Sequence, residues 1–359
     1  MEKRSSTGDS PLSKKIKPTR SVGRPQLENI DPAKDTLIFQ ELELDHYIGV
    51  PYPGMPGAQS GPVPVIRCFG VTKKGNSVCC HIHGFSPYFY INLPDSFVEA
   101  DCEPFKNKLN TVVVADIRGN KDNITDAVLA VEIVEGKSLV EYSGEENSKF
   151  AKITVALPKF VPAAKRLLEN QIIYQPLGAH SFTFFESNVD IEMRFMIDAK
   201  IMGCCWLELP AGKWFKRNSL SSQFSITSRC QLEVDVSWEN FIAHSPEEEN
   251  WSDVAQFRIH SFDIECAGRK GVFPEPQIDP IIQIANVVKL HGEEDVVVRN
   301  VFTLNTCAPI GHAEVKCFSK ETDMLQAWAQ FVRKLILIFL QDITSTISIF
   351  LTFWIEQNI

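Results

Sequence analysis

The sequence lacks several features that define other protein classes. None of its 10 cysteines forms a Cys-x-x-Cys pair, so the common zinc ribbons and redox motifs are excluded. The formal net charge is −9, which excludes a generally basic surface for nucleic acid. The amino terminus is polar and basic and has no apolar signal-peptide core. These absences predict a cytosolic or nuclear chain with reduced thiols.

Length and composition predict a globular protein of several domains. The chain has 359 residues, of which 44% are hydrophobic and 23% are charged. These values are ordinary for soluble domains, and the length favours two or three of them.

The first residues differ in charge from the remainder of the chain. Residues 1–24 contain seven basic and two acidic side chains. Because residues 1–34 hold few apolar groups to bury, we expect them to form a disordered tail. Within it, Lys14, Lys15, Lys17 and Arg20 form a cluster typical of a nuclear-localisation signal. A solvated tail that only favours solubility is the alternative.

Short apolar or alternating runs between Gly, Pro and polar residues predict an α+β region rich in strands. Strands are expected at 37–39, 65–71, 77–83, 88–93, 127–135, 152–157, 206–209 and 231–236, and helices at 160–170 and 186–199. The Gly- and Pro-rich stretch 52–64 is expected to be a loop. These elements make up a predicted amino-terminal domain over residues 35–243.

An acidic stretch over residues 244–254 predicts a linker to a second domain. Beyond it, strands are expected at 257–266, 281–289 and 296–304, followed by a helix at 320–333. Three consecutive strands and then a helix are how a ribonuclease-H-like α/β domain begins, which is an argument by analogy. The second predicted domain spans residues 255–333.

Two carboxylates in this second region are the sharpest candidate site. Asp263 and Glu265 lie two residues apart in an apolar run, and such positions project from one face of a strand. Two like charges on a buried strand are costly unless a cation compensates them. A hard divalent ion bound by oxygen atoms is the simplest such cation. A solvated edge strand is the alternative explanation.

The sequence around these carboxylates resembles a known family. SFDIEC (residues 261–266), a Gly-Pro loop and IDPIIQIANVV (278–288) are similar to the first exonuclease motif of family B DNA polymerases. Three further stretches also resemble the family, namely FGVTKKGNSVCCHIHGFSPYFYINLP (69–94), SFTFFESNVDIEMRFMID (181–198) and GCCWLELPAGKW (203–214). The resemblance runs from about residue 37 to residue 333.

The resemblance implies a function for each predicted domain. A β-rich amino-terminal domain would help to hold the template strand, and a ribonuclease-H-like 3'-5' exonuclease would follow it, with the polymerase domains further on. The positions matched by Asp263 and Glu265 bind two Mg²⁺ ions in the family and serve proofreading catalysis. The implied partners are primer-template DNA and single strands, and the implied location is the nucleus.

The chain also departs from the family pattern. All six tyrosines precede Asp263, and no Asn lies between Asn305 and Asn358, so the second and third exonuclease motifs have no counterpart. The polymerase motifs and the cysteine clusters that hold the family's iron-sulfur cluster are likewise unmatched, as are the regions that accessory subunits bind. We therefore expect the front part of such a polymerase, interrupted within its exonuclease domain and catalytically inactive. An inactive single-strand-binding module and a non-functional truncated product are the alternatives.

Residues 334–359 form an apolar tail that does not resemble the family. A retained intron or a mis-joined gene model would explain the abrupt change. The alternative is a membrane segment over 335–355, but the single charge of Asp342 makes the insertion energy marginal. A membrane partner is therefore not expected.

Two further sets of side chains invite a functional interpretation. Lys213, Trp214, Lys216 and Arg217 could contact a phosphate backbone and stack a base, or could form a solvated hairpin. Cys79, His81 and His83 would share one face of a strand, where Cys68 is a plausible fourth zinc ligand. A packed core strand is the expected outcome for this second set.

Overall fold

The computed structural model describes residues 24–27, 29–117, 124–138, 148–170, 182–219 and 224–335, and the backbone of residues 339–342. The chain divides into two compact units, one spanning Pro25–Phe257 and the other beginning at Arg258. The hydrophobic side chains of these described residues form two core clusters in the first unit and one in the second.

The first unit is built mainly of strands. Its elements in chain order are β1 (Leu37–Gly49), β2 (Val63–Val71), β3 (Ser77–His83), β4 (Tyr88–Asn92), α1 (Glu99–Asp116), β5 (Val128–Gly136), β6 (Ser148–Val155), α2 (Phe160–Glu169), β7 (Phe184–Phe185), α3 (Ile191–Asp198), β8 (Trp206–Leu209), β9 (Trp214–Lys216), β10 (Leu232–Ser237) and β11 (Ile242–His244). Every strand and helix predicted for residues 35–243 is present, so this region is α+β as expected.

Seven of these strands form one sheet in the order β11-β8-β1-β2-β3-β10-β9. Strand β3 is buried along its whole length because β2 pairs with it antiparallel and β10 pairs with it parallel. Val78, Cys80 and Ile82 point into a core that includes Phe195 of α3. The alternate residues of β3 point to the other face, which carries polar side chains.

A tight backbone contact fixes the loop that precedes β2 against the end of β3. Gly84 has φ +88°, and a Cβ at this position would lie 2.6 Å from Pro56 Cγ and 2.8 Å from its carbonyl oxygen. Only glycine adopts this conformation at this distance without displacing its neighbour.

A four-stranded sheet in the order β5-β6-β4-β7 completes the unit. Helices α1 and α2 bury apolar residues in the same core cluster as this sheet, including Phe105 and Leu109 from α1 and Leu168 from α2. Residues three and four apart on a helix share one face, which explains why these side chains reach one core.

Residues 25–34 correct the predicted extent of the disordered tail. Leu27 and Ile30 pack against the core of the seven-stranded sheet. The carbonyl oxygen of Pro25 accepts hydrogen bonds from Asn76 Nδ2 (3.3 Å) and Gln231 Nε2 (2.8 Å). Two apolar side chains and these backbone contacts order a segment whose composition alone predicted disorder. The basic cluster of Lys14, Lys15, Lys17 and Arg20 lies outside the described residues.

The predicted helix over 186–199 and the predicted linker over 244–254 also need correction. Glu186 has φ +56°, so the helix begins only at Ile191, after the extended residue Asp190. His244 belongs to β11, and its ring stacks on Trp251 with centroids 3.6 Å apart. Trp206 Nε1 donates to the carbonyl oxygen of Asp253 at 2.8 Å, so the acidic stretch is bound to the first unit.

Among its described residues, the second unit contains one sheet and one helix. Its elements are β12 (Arg258–Cys266), β13 (Ile281–Leu290), β14 (Val296–Leu304), β15 (Glu314–Phe318), α4 (Glu321–Leu335) and β16 (Phe339–Asp342). The strand order is β15-β14-β13-β12-β16, with β12, β13 and β14 antiparallel and β16 parallel to β12. Three antiparallel strands, a helix and a returning parallel strand beside the first strand confirm the ribonuclease-H-like prediction.

Helix α4 covers one face of this sheet. Its buried residues Met324, Val332 and Leu335 share a core with Phe262 and Phe302 of the sheet. The helix continues to Leu335, and β16 pairs with β12 beyond it. The predicted boundary at residue 333 therefore does not mark the end of the folded backbone.

Candidate functional site

The carboxylates of Asp263 and Glu265 project from the face of β12 opposite α4. Phe262 and Trp328 of α4 have ring centroids 5.4 Å apart, and His260 and Phe331 have centroids 5.8 Å apart. Because strand side chains alternate, Asp263 and Glu265 share the other face. Both residues lie within the single strand β12, which the same-face prediction requires.

The pair is more accessible than the sequence suggested. Asp263 is half-buried and Glu265 is exposed, whereas the apolar run around them predicted a buried strand. The Asp263 Oδ1 atom accepts a hydrogen bond from the Ile264 N–H at 2.9 Å. Within the described part of the chain, the Glu265 carboxylate forms neither a hydrogen bond nor a salt bridge, although its backbone pairs with Gln283 of β13. Both carboxylates therefore keep oxygen atoms available to a ligand.

The chemistry of this pair suits a hard divalent cation. Carboxylate oxygens are the ligands that Mg²⁺ and Mn²⁺ prefer. Among the residues that the structure describes, no third His, Cys, Asp or Glu side chain joins Asp263 and Glu265 in a potential ligand cluster. These residues fit a metal ion but supply only part of a coordination shell.

An arginine that the sequence reasoning missed shapes the loop after β12. Arg269 donates to Glu275 Oε1 at 2.9 Å and to both carboxylate oxygens of Asp279 at 3.2 Å. The Glu275 backbone N–H and Arg269 both donate to Asp279, and they hold the pKa of that carboxyl below its usual value. Phe273 between them is 90% exposed. The sequence offered one sign of this contact, namely an Arg and two acids spaced around Gly and Pro residues. Such spacing is common in loops and does not by itself predict an ion pair.

The four residues predicted to bind nucleic acid do not share one environment. Lys213 and Lys216 are exposed, as expected. Trp214 is 1% exposed, and its Nε1 donates to the carbonyl oxygen of Asp35 at 3.1 Å. Arg217 is also buried. Trp214 and Arg217 are therefore corrected to core residues, because β9 turns Trp214 into the sheet core and Asp235 neutralises Arg217.

Arg217 lies at the centre of a buried ion network on the polar face of the seven-stranded sheet. Its guanidinium donates to Asp235 through Nε (2.8 Å) and Nη2 (2.6 Å). Asp235 also contacts His83 Nε2 at 2.7 Å. Burial alone would raise the pKa of Asp235, but the hydrogen bonds from His83 and Arg217 outweigh burial and lower it. The same pairing keeps the pKa of Arg217 above its usual value despite burial.

Cys79, His81 and Glu233 lie beside this network and form the one potential metal cluster among the described residues. His81 Nε2 is 3.5 Å from Cys79 Sγ and 2.9 Å from Glu233 Oε1. Glu233 also accepts hydrogen bonds from the N–H and hydroxyl groups of Thr227 and Ser228. These donors occupy both of its oxygens, so the cluster is a satisfied hydrogen-bond network rather than an open ligand set.

Cys68 does not complete a zinc site with these residues. It lies opposite Cys80 in the pairing of β2 with β3, on the face of β3 away from Cys79. Burial raises the pKa values of the Cys68 and Cys79 thiols well above the usual range, which disfavours the thiolates that zinc binds. The core-strand expectation for Cys79, His81 and His83 agrees with their complete burial.

Comparison with known proteins gives two domain matches. A model described as DNA polymerase family B, exonuclease domain, matches residues 182–340. A model described as DNA polymerase delta catalytic subunit-like, N-terminal domain, matches residues 84–162. The chain is 54% identical over 311 residues to the DNA polymerase delta catalytic subunit of Drosophila melanogaster, an alignment that covers 87% of this chain and 28% of that protein.

The chain is similar to DNA polymerase family B over residues 182–340 and to a delta catalytic subunit over 87% of its length.

Other curated relatives agree with this similarity. The delta catalytic subunit of Mesocricetus auratus is 48% identical over 86% of this chain and 28% of its own length, and that of Schizosaccharomyces pombe is 37% identical over 86% and 26%. A solved family B DNA polymerase from Pyrobaculum calidifontis is 20% identical to this chain and has a TM-score of 0.50. The structural alignment covers 83% of this chain and 29% of that polymerase, and it supports the fold. The chain spans little more than a quarter of the length of the curated relatives it matches.

The exonuclease match within family B has two consequences for the sequence predictions. It extends to residue 340, so the likeness to the family continues beyond Arg333 into β16. An exonuclease domain of this family also implies the use of a divalent metal. No helix in the described part of the chain is long and apolar enough to cross a membrane, and most of residues 335–355 lie outside that part.

Proposed function

We propose that the second unit is part of a 3'-5' exonuclease that acts on DNA ends, with Asp263 and Glu265 as its metal ligands. The observation that carries the proposal is their position, side by side on one face of β12 in a sheet of ribonuclease-H-like strand order. Mg²⁺ bound there would supply charge stabilisation for displacement at phosphorus. The carboxylates themselves would bind and orient the cation.

The proposal extends to the complete polymerase that contains a region of this kind. We infer that such a polymerase copies and proofreads DNA in the nucleus, since the named relatives are delta catalytic subunits. Residues 35–243 would form its template-binding domain and residues 255–333 part of its exonuclease. Accessory subunits would bind portions of the relatives that this chain does not cover.

We further propose that this chain, tested by itself, does not hydrolyse DNA. Two-metal hydrolysis needs ligands for both ions, and Asp263 and Glu265 have no third partner among the described residues. The test is single-turnover digestion of a mismatched primer with Mg²⁺ or Mn²⁺, beside a variant carrying Asp263→Asn and Glu265→Gln. We expect no release above that variant. Metal-dependent release of 3' nucleotides that the variant lacks would contradict the proposed inactivity.

A further inference from the structure

The segment between β11 and β12 begins with a serine that the proposed nuclease does not use. Residues 245–253, called the Ser245 segment below, have the sequence SPEEENWSD. The Ser245 N–H donates to Glu248 Oε1 at 3.0 Å, and the Glu247 N–H donates to Ser245 Oγ at 3.2 Å. The Glu248 N–H also donates to the Ser245 carbonyl oxygen at 3.0 Å. Ser245 therefore starts a tight turn that its own side chain and that of Glu248 hold together.

A small set of side chains docks the Ser245 segment on the first unit. The Trp251 ring stacks on the ring of His244, with the two planes 7° apart. His244 is itself held between two carboxylates, since its Nδ1 lies 3.3 Å from Glu248 Oε2 and its Nε2 lies 2.9 Å from Glu208 Oε2. Glu248 therefore connects the turn at Ser245 to the stacked pair of rings.

Ser245 is the accessible serine among the Ser-Pro pairs that the structure describes. Ser86 also precedes a proline, but Pro87 is buried between β3 and β4. By contrast, Pro246 is exposed, as are the three glutamates that follow it, and Ser245 is half-buried. Protein kinases select their substrates by local patterns of this kind, and proline directly after the acceptor serine is one of them. The few contacts of the Ser245 segment also let it open locally to enter a kinase active site.

A phosphate on Ser245 would meet mainly negative charge. Phosphorylation adds about −1.5 to −2 charge at neutral pH. The added group would lie beside the Glu248 carboxylate, which the N–H of the same serine binds. The two neighbouring basic side chains, His244 and Lys73, already contact other carboxylates. Repulsion would therefore displace Glu248 from the Ser245 N–H and from His244, and Trp251 would lose the fixed ring on which it stacks.

We propose that Ser245 is a phosphorylation site for a proline-directed protein kinase, and that phosphate there releases the Ser245 segment from the first unit. In the reaction the Ser245 Oγ atom bonds to the γ-phosphorus of ATP while the bond to the bridging oxygen breaks. ADP leaves, and the hydroxyl proton is lost. Neither DNA nor a metal ion on Asp263 and Glu265 takes part, so the site goes beyond the proposed nuclease and is tested separately from it.

The first measurement is phosphate incorporation into the full chain. A cyclin-dependent kinase with Mg-ATP is the probe, and mass spectrometry locates the phosphate. We expect phosphate on Ser245 and none on Ser86. Pro246→Ala should lower the rate at Ser245 about tenfold, whereas Ser252→Ala, which changes an exposed serine without a following proline, should leave it unaltered. The inference is wrong if Ser245 stays unmodified, or if Pro246→Ala is modified as fast as the wild type.

The second measurement is hydrogen–deuterium exchange of the phosphorylated and the unmodified chain. The amides of Glu248 and Trp251 should exchange about tenfold faster after phosphorylation, which corresponds to the loss of one hydrogen bond to a charged group. Phosphorylation should accelerate exchange less in Glu248→Gln, because the repelled charge is already absent, while the exposed neighbour variant Glu249→Gln should show the full increase. Unchanged exchange would refute the release, and so would slower exchange, in which the phosphate caps the turn at Ser245.

Discussion

Replacing Arg217 by Met should destabilise the first unit, because Arg217 lies in its buried ion network. The Arg217 side chain is 3% exposed and that of Asp235 is 2% exposed, and they are joined by two hydrogen bonds of 2.6 and 2.8 Å. Met fills a similar volume but leaves the Asp235 carboxylate without its guanidinium partner and with His83 as its remaining hydrogen-bond partner. An uncompensated buried charge is the main cost of such a change.

The size of the effect follows from this burial. Removing one partner of a buried ion pair typically costs about 3–5 kcal/mol of unfolding free energy. In a unit of about 150–250 residues, such a loss lowers Tm by about 10 °C. Lys216→Met is the matched control, because Lys216 precedes Arg217 in sequence but is exposed. It should change Tm little, since an isolated exposed charge contributes little to stability.

The assay is urea and thermal unfolding of both variants, followed by circular dichroism. A double change of Arg217→Met with Asp235→Asn should recover part of the loss, because no full charge is then left unpaired. The reasoning is refuted if Arg217→Met unfolds at the same urea concentration and temperature as the wild type. That result would make Arg217 a surface contact.

Three further predictions concern the second unit and the two ends of the chain. Burial lowers the pKa of His260 to about 4, below the value of about 6.5 in an unfolded chain. The unfolded state therefore binds the proton more tightly, and the free energy of unfolding measured in urea should fall by about 2 kcal/mol from about pH 7 to about pH 5. The His260→Gln variant should lose less unfolding free energy over this range. Deleting residues 343–359, which removes an apolar β-prone run but keeps β16, should raise the soluble fraction after centrifugation; unchanged solubility would contradict this. Residues 13–24 should carry a fluorescent reporter into the nucleus, and changing Lys14, Lys15, Lys17 and Arg20 to Ala should abolish uptake; uptake that persists would refute the signal.

Local patterns were sufficient to predict most of the fold. Strands β3 and β8 match their predicted limits because apolar runs end there at Gly, Pro or charged residues. Strand β15 was missed, since Glu314–Phe318 is short, half polar and ordered by parallel pairing with β14. The docking of residues 25–34 was also missed, because its partners Asn76 and Gln231 lie far away in sequence.

The candidate sites were predictable only where neighbouring residues carry the signal. The shared face of Asp263 and Glu265 follows from their spacing, whereas their exposure depends on what covers the sheet. The burial of Arg217 depends on Asp235 and His83, which join it only when β9, β10 and β3 assemble. Trp214 is buried and Phe215 is exposed because of the way β9 is oriented in the sheet. The sequence of a three-residue strand does not determine which of its side chains face the core.

Binding of Mn²⁺ to the full chain tests the central claim most directly. Electron paramagnetic resonance of added Mn²⁺ should show weak binding, with a dissociation constant of about 1 mM, because two carboxylates give only part of a shell. Asp263→Asn with Glu265→Gln should return the signal to that of free Mn²⁺, while Glu293→Gln with Glu294→Gln, a half-buried and an exposed acid in the turn before β14, should not. Equal Mn²⁺ binding by the wild type and the Asp263, Glu265 variant would contradict the assignment of these residues as the metal site.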